Sequence, residues 1–487
     1  MQRTAVINVV GLSGALIGPH TPRIAGFRQR GVWARIVPAF PAVTCTAQST
    51  YLTGTSPSAH GIVGNGWYNR ELAEVQFWKQ SNHLVQGRKL WEELRERDPK
   101  FTCAKLFWWY NMYATTDYSI TPRPVYPADG RKIFDIHTWP YPIRSEIKKD
   151  LGEFPFPAFW GPAAGVETPQ GPPNAASFWI AESAKWIENR FHPTLSLIYL
   201  PHLDYNLQRF GPFRNGNGSH PRPAADATDH RPPPLNPTIL PDLNAIDAIV
   251  GDLLDFFAKQ SVQVVLLSEY GITPVACPVH LNRLFREKGW LTVKEELGLE
   301  FLDCGASQAF AVADHQVAHI YLNDPSLRGA VRALLENTRG VAEVMDTKEK
   351  IAAGIAHPRA GDLVAVASEN AWFTYYYWFD DRVAPDFART VDIHRKPGYD
   401  PVELFLDPRM KFPKLHIAWR LLQKRLGLRM LMDVIPLDAT IVEGSHGRRP
   451  ADPDDYPVLI SSQPALLSNP SIEATDVYHV LKRHILA

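Results

Sequence analysis

Three amphipathic helix patterns, each followed by a continuously apolar run, constrain the fold of this chain more than any other feature. The helix patterns occupy residues 89–96, 177–191 and 244–257, and the apolar runs that follow them occupy residues 101–106, 194–200 and 262–267. A fourth apolar run, residues 5–10, precedes the first helix pattern. Strands without polar alternation are buried on both faces, and strands that alternate with helices form parallel sheets. The sequence therefore predicts an α/β fold with a largely parallel central sheet covered on both faces.

The composition argues against two classes of partner. The 487 residues include 51 Lys and Arg and 51 Asp and Glu, so the formal net charge is zero. A balanced charge gives no overall basic face for nucleic-acid phosphates, and a sequence pI near 7.3 argues against a polybasic membrane anchor. No apolar run approaches the length of a membrane-spanning helix. We therefore expect a small-molecule substrate and neither a nucleic acid nor a membrane as partner.

The cysteines indicate the compartment. Only four occur, Cys45, Cys103, Cys277 and Cys304, and none forms a CxxC pair. So few cysteines in so long a chain fit a reducing compartment better than a disulfide framework. The sequence therefore predicts a cytoplasmic protein.

The chain divides into a core and candidate insertions. Residues 1–373 and 441–487 carry the helix and strand patterns, whereas residues 125–176 and 211–241 are rich in proline and are predicted as loop insertions. Residues 374–440 contain aromatic and helical patches. We interpret that segment as an inserted cap or lid.

Two of the predicted strands end next to a carboxylate. Asp204 follows the run 194–200, and Glu269 follows the run 262–267. The carboxyl ends of parallel strands share one edge of a sheet, where ligands of open α/β sheets gather. Each carboxylate could instead cap the helix that follows its strand.

Residues 40–54 read as a loop, a helix and a glycine stop. Thr44 or Thr46 is predicted as the N-cap, and Gly54 fits the left-handed position after the last turn. A hydroxyl beside free backbone N–H groups at a helix N-terminus suits a phosphate. A plain threonine cap with no further role is the alternative.

The residues that follow carry a family resemblance. Pro57, His60-Gly61-Ile62 and Asn65 come after Thr44 and Gly54, and this block resembles the type I phosphodiesterase/nucleotide pyrophosphatase branch of the alkaline phosphatase superfamily. Phosphonoacetate hydrolases are similar over the same stretch. Further similar segments follow in the family's order at residues 106–109, 204–212, 268–272, 357–364 and 444–447.

The resemblance implies a fold, a reaction and a set of site residues. It implies a three-layer αβα fold like that of alkaline phosphatase and a metal-dependent hydrolase of phosphodiesters or phosphomonoesters. Thr44 would attack phosphorus and form a covalent phospho-threonine, and Asn65 would stabilise the developing charge. Trp108 and Tyr270 would contact the substrate. One or two divalent ions, zinc first and manganese, magnesium or calcium as alternatives, would be held by Asp204, Gln208, Glu269 and His446.

The chain departs from the family pattern at the metal positions. Val10 stands where the family has an aspartate, Gln208 where it has a histidine, and Glu269-Tyr270 where it has Asp-His. A catalytically silent relative that binds a phosphorylated ligand is therefore the alternative function, and phosphoryl transfer to a second alcohol is a third. Residues that could replace the missing ligands occur at Asp392 and His394, at Asp314, His315 and His319, and at His202. Of these, His202 and His394 are the second-line candidates.

Overall fold

A computed structural model describes residues 1–129, 131–169, 171–214, 234–467 and 469–487. Its helices are α1 Pro22–Arg30, α2 Thr44–Thr53, α3 Pro57–His60, α4 Leu90–Arg97, α5 Ile143–Leu151, α6 Ala175–Phe191, α7 His202–Phe210, α8 Leu240–Lys259, α9 Leu281–Glu287, α10 Arg328–Glu336, α11 Thr347–Ala352, α12 Pro413–Arg425 and α13 Asp476–Leu486. Its strands are β1 Thr4–Val9, β2 Val32–Val37, β3 Gly66–Asn69, β4 Glu74–Phe77, β5 Cys103–Leu106, β6 Tyr118–Pro122, β7 Ile136–Trp139, β8 Leu195–Leu200, β9 Gln263–Leu267, β10 Thr273–Pro274, β11 Cys277–Val279, β12 Thr292–Glu296, β13 Leu299–Asp303, β14 Ala309–Asp314, β15 Val317–Leu322, β16 Val341–Met345, β17 Leu363–Ala367, β18 Ala371–Phe373, β19 Gly444–Ser445, β20 Val458–Ser461 and β21 Ser471–Glu473.

A nine-stranded sheet forms the centre of the fold, in the order β21-β2-β20-β9-β1-β8-β5-β6-β7. The five strands from β9 to β6 in this order are parallel, whereas β20 and β7 run antiparallel to their neighbours. Every residue of β1 and β8 is buried, as expected for strands covered on both faces. The prediction of an α/β fold with a largely parallel sheet is confirmed.

Helices pack in two groups around this sheet. Helix α8 contacts both α1 and α6, and α13 contacts α2 and α4. The predicted helices correspond to α4, α6 and α8 and the predicted strands to β1, β5, β8 and β9. These strands are short because each apolar run is six or seven residues long, and they bring Asp204 and Glu269 to one edge of the sheet.

A second, four-stranded antiparallel sheet, β14-β15-β17-β16, carries its own apolar core. The hairpin between β14 and β15 turns at His315 and Gln316, directly after Asp314, and His315 has a positive φ of 61°. The side chains of Asp314 and His315 are buried at the hairpin tip. The hairpin is the feature of this sheet that contributes to the site described below.

The candidate insertions contain regular structure where they are described. Residues 125–176 include β7, which extends the central sheet, and α5. Most of the predicted loop 211–241 lies outside the described residues. The segment 374–440 begins with Tyr375, Tyr376 and Trp378, which are buried in the second core; its assignment as a cap stays a prediction.

The four cysteines are free thiols. Within the described ranges, none of the helices combines the length and the apolar character that crossing a bilayer requires.

Candidate active site

Helix α2 presents Thr44 at its first turn. The N-cap residue is Val43, which makes no side-chain capping bond, so the expectation that Thr44 or Thr46 caps the helix is wrong. Thr46 instead donates its hydroxyl to the carbonyl of Ile62. Gly54 ends the helix with a φ of 67°, as predicted. Because Thr44 does not cap the helix, its hydroxyl is available to the site at the sheet edge.

A chain of hydrogen bonds links Thr44 to Asp204 through Tyr270. Thr44 Oγ1 lies 3.1 Å from the Tyr270 hydroxyl, and that hydroxyl donates to Asp204 Oδ1 over 3.1 Å. Gln208, one helical turn after Asp204 on α7, donates its Nε2 to Asp204 Oδ2 at 2.7 Å. All four side chains are buried. The geometry brings together the predicted nucleophile, one predicted substrate contact and two predicted metal ligands.

Burial makes Asp204 a weak acid. Loss of solvation raises the pKa of this carboxyl to about 7, although the hydrogen bonds from Tyr270 and Gln208 lower it. A carboxyl that titrates near neutral pH is suited to accept a proton from a reacting hydroxyl.

Glu269 lies beside helix α2 and accepts hydrogen bonds from two side-chain amides. Its Oε1 accepts hydrogen bonds from Asn8 Nδ2 at 2.5 Å and Gln48 Nε2 at 2.6 Å, and burial raises its pKa to about 8. Sequence reasoning missed Asn8 and Gln48. Asn8 is the one polar residue within the apolar run 5–10, and Gln48 follows Thr44 by one turn of α2.

His446 arrives from the loop after β19 with one ring nitrogen held. Its Nδ1 lies 2.8 Å from the carbonyl of Ala42, which indicates the tautomer protonated at Nδ1. Its buried Nε2 has no hydrogen-bond partner among the described residues and lies 3.9 Å from Asp204 Oδ1. A histidine held in this way can offer its free nitrogen to a ligand.

Four stacked rings connect His446 to its surroundings. The ring of Tyr270 lies 3.6 Å from that of His446, His446 lies 3.7 Å from His315, and His315 lies 3.6 Å from Tyr399. The Tyr399 hydroxyl then donates to Gln208 Oε1 at 3.0 Å. Because Gln208 and Tyr270 both contact Asp204, the four rings and the hydrogen bonds around Asp204 form one continuous network of side chains.

Asn65 supports the start of α2. Its Oδ1 accepts the backbone N–H of Cys45 at 3.0 Å. Its own N–H and Nδ2 donate to the two carboxylate oxygens of Asp314, at 2.7 and 3.0 Å. One Nδ2 hydrogen is therefore committed to Asp314, and the contact of Asn65 with a phosphoryl group stays a prediction.

The other candidate residues differ in their surroundings. Trp108 is fully buried in the main core, and its contact with substrate stays a prediction. His202 faces Asp242 with its Nε2, at 2.9 Å, and His319 is held by the carbonyl of Val63. His394 Nδ1 lies 3.3 Å from the carbonyl of Phe77.

The donors at the site do not fit a two-ion cluster. In the part of the chain that the structure describes, no group of three or more His, Cys, Asp or Glu side chains is placed to hold a metal ion. Both oxygens of Asp204 accept bonds from neutral donors, and Glu269 is held by two amides. Asp204 and His446 are the pair that could hold one ion.

Comparison with known proteins agrees with this architecture. The profile of the family described as type I phosphodiesterase / nucleotide pyrophosphatase matches residues 4–400. A direct sequence search of curated proteins finds no match.

Solved structures with the same fold include murine ectonucleotide pyrophosphatase/phosphodiesterase 5 and phosphonoacetate hydrolase from Sinorhizobium meliloti 1021. The murine protein has 14% identity, a TM-score of 0.56, and coverage of 100% of this chain and 95% of its own; an inactive form was solved in complex with AMP. The hydrolase, solved with phosphonoformate, has 13% identity, a TM-score of 0.58, and coverage of 100% and 96%.

The family profile spans most of the chain, including Thr44, Asp204 and Glu269. The family consists of phosphate-ester hydrolases that depend on divalent metal ions. The chain belongs to the type I phosphodiesterase/nucleotide pyrophosphatase family and is a hydrolase of that class.

Proposed function

We propose that this protein hydrolyses a phosphate ester, a diester or a monoester, with Thr44 as the nucleophile. The observation that carries the proposal is the hydrogen-bonded chain from Thr44 Oγ1 through the Tyr270 hydroxyl to Asp204 Oδ1. A threonine hydroxyl is a poor nucleophile unless a neighbouring group removes its proton. Tyr270 and Asp204 supply such a path.

The chemistry follows from the order of these groups. Thr44 transfers its proton to Tyr270 as Tyr270 passes its own proton to Asp204, and the threonine oxygen forms a bond to phosphorus. The ester oxygen leaves, and water later cleaves the phospho-threonine. The first-turn N–H groups of α2 favour the negative charge of the phosphoryl group, and Asn65 holds that turn in place.

Metal dependence, with zinc as the first candidate, comes from the family resemblance. An ion bound in such a site supplies electrostatic stabilisation to phosphoryl oxygens. Because the donors do not fit two ions, the proposed proton path consists of side chains alone. Asp204 and His446 would hold one ion. Of the other two residues that the resemblance assigns as ligands, Gln208 is bonded to the Asp204 carboxylate and the Tyr399 hydroxyl, and Glu269 to the Gln48 amide.

Substitution of the nucleophile tests the proposal. Aryl phosphomonoesters, phosphodiesters, phosphonates and sulfates would be assayed with a chelator and with each of Zn²⁺, Mn²⁺, Mg²⁺ and Ca²⁺. We expect Thr44→Ala to lower turnover by about 1,000-fold or more, because it removes the attacking atom, and Thr44→Ser to retain part of it. Thr53→Ala, at the other end of α2, is the matched control. Unchanged turnover in Thr44→Ala would remove Thr44 from its role.

A silent ligand-binding relative is the second candidate. The observation that favours it is the presence of Val10, Gln208 and Tyr270 where the family has metal ligands. AMP and phosphonoacetate, ligands of the similar structures, are suitable probes for calorimetry. Two results together would favour this candidate: the wild-type protein and Thr44→Ala bind either ligand equally well, and the wild-type protein turns over no ester class.

We also propose a cytoplasmic location. The four free thiols support it, because a reducing compartment keeps cysteines unpaired.

A further inference from the structure

The helix α12 displays an apolar face that no part of the described chain covers. Phe412, Leu415, Trp419, Leu422 and Leu426 recur every three or four residues from the N-cap position through the C-cap. Their side chains are between 45% and 68% exposed. Residues at this spacing share one face of a helix, and exposed apolar patches of this kind mark sites of interaction.

Other residues of α12 attach it to the rest of the protein. His416 Nε2 lies 2.9 Å from Asp433 Oδ1, and Arg420 makes a bidentate pair with the same carboxylate. Ile417 packs against the second core. The helix is therefore attached to the body through His416, Ile417 and Arg420, with its apolar face directed outward.

The charge around this face is one-sided. Residues 411–432 contain six basic residues and no Asp or Glu, in a chain whose formal net charge is zero. Five of the six are exposed and form no ion pair among the described residues: Lys411, Lys414, Lys424, Arg425 and Arg429. The neutral total charge, from which we expected no membrane partner, conceals this local concentration.

We propose that residues 411–431 dock the protein onto an anionic lipid bilayer. A helix with Trp, Phe and Leu on one face and Lys and Arg beside it lies in the plane of a membrane interface. Its basic side chains complement the negative surface potential of anionic lipids. A second copy of the chain would bring two basic segments together without an acid to pair them. The proposal does not depend on the hydrolase reaction.

Co-flotation of the full-length protein with lipid vesicles tests the proposal. We expect it to bind phosphatidylcholine vesicles that contain phosphatidylserine, to bind pure phosphatidylcholine much more weakly, and to lose binding as salt is raised. We also expect hydrogen exchange in residues 412–426 to slow on the anionic vesicles. Absence of binding to the anionic vesicles at low salt would overturn the proposal.

Matched variants separate the two contributions. We expect Trp419→Glu with Leu422→Glu to lower partitioning at least about tenfold, because the apolar face is lost. We expect Lys424→Glu with Arg425→Glu to lower partitioning onto the anionic vesicles by at least about fivefold for each basic charge removed. Leu72→Glu and Lys100→Glu, at exposed positions outside α12, should leave it unchanged. Equal losses in these controls, or a solution dimer that Trp419→Glu with Leu422→Glu dissociates, would also overturn the proposal.

Discussion

Tyr270 stacks on His446 with the two rings 3.6 Å apart and their planes 7° from parallel. The tyrosine hydroxyl at the same time contacts Thr44 and Asp204. The ring of Tyr270 therefore packs on a predicted metal ligand, while its hydroxyl joins the nucleophile to a carboxylate. These two roles can be separated by substitution.

Removal of the Tyr270 hydroxyl should break the proton path and keep the stack. We expect Tyr270→Phe to lower kcat by about 100-fold to 10,000-fold, the usual range for loss of a proton-transfer group, with a smaller change in KM. Tyr399→Phe, which removes a hydroxyl from the other end of the same ring stack, should lower kcat by less than about tenfold. Steady-state kinetics on the best aryl ester measures both. A loss in Tyr270→Phe as small as that in Tyr399→Phe would show that the Tyr270 hydroxyl carries no proton in the reaction.

The metal content should reflect the altered ligand set. We expect purified protein dialysed against Zn²⁺ or Mn²⁺ to hold at most one ion per chain, and His446→Ala to abolish that binding. The combined change Val10→Asp, Gln208→His, Glu269→Asp and Tyr270→His restores the family's ligand types and should raise the content toward two ions. Elemental analysis measures the stoichiometry, and circular dichroism checks the fold. Two ions in the wild-type protein would contradict this expectation.

Asn65 should matter for stability as well as for chemistry. Asn65→Ala leaves the Cys45 N–H without its acceptor and removes the Nδ2 donor to Asp314, all in buried positions. The backbone donor at Asn65 remains, so we expect a loss of about 2–4 kcal/mol in the free energy of unfolding. Asn69→Ala, whose side chain accepts two bonds in an exposed turn, should cost less than about 1 kcal/mol. Urea denaturation compares them, and equal costs would refute the structural role of Asn65.

Lys105 should make stability depend on pH. Burial lowers the pKa of its ammonium group from 10.5 to about 7, so between these values the unfolded chain binds a proton that the folded protein has released. The free energy of unfolding contributed by Lys105 therefore rises as pH increases from about 7 to 10.5. We expect Lys105→Met to flatten this rise. The difference between the wild-type and variant stability curves measures it, and parallel curves would argue against the shift.

The sequence predicts the central sheet well because its apolar runs are stable only as strands that are covered on both faces. A run such as Val6-Ile7 flanked by helices must be buried on both faces, and β1 is. Asp204 and Glu269 could be placed at one edge for the same reason, since strand ends share an edge. The sequence predicts the wrong N-cap for α2, because the cap position is held by Val43, which has no capping side chain.

The contacts made by distant segments could not be predicted from the sequence. His315 and Tyr399 reach the site from a hairpin of the second sheet and from the segment 374–440, and no local pattern links them to His446. In the sequence, Asp314 and His315 suggest a source of metal ligands, whereas in the structure Asp314 holds Asn65 and His315 packs against His446. The exposure of the apolar face of α12 depends on how Asp433 holds the helix, and no local sequence pattern indicates that contact.

The tip of the β14–β15 hairpin touches both Asn65 and His446: Asp314 holds the asparagine, and the backbone N–H of Gln316 donates to the carbonyl of His446 at 2.9 Å. The candidate active site therefore depends on residues of both the nine-stranded and the four-stranded sheet. A truncated fragment that keeps the nine-stranded sheet but lacks the hairpin would lose Asp314, which holds Asn65 beside the start of α2. Attempts to trim this protein to a minimal catalytic unit should keep both sheets.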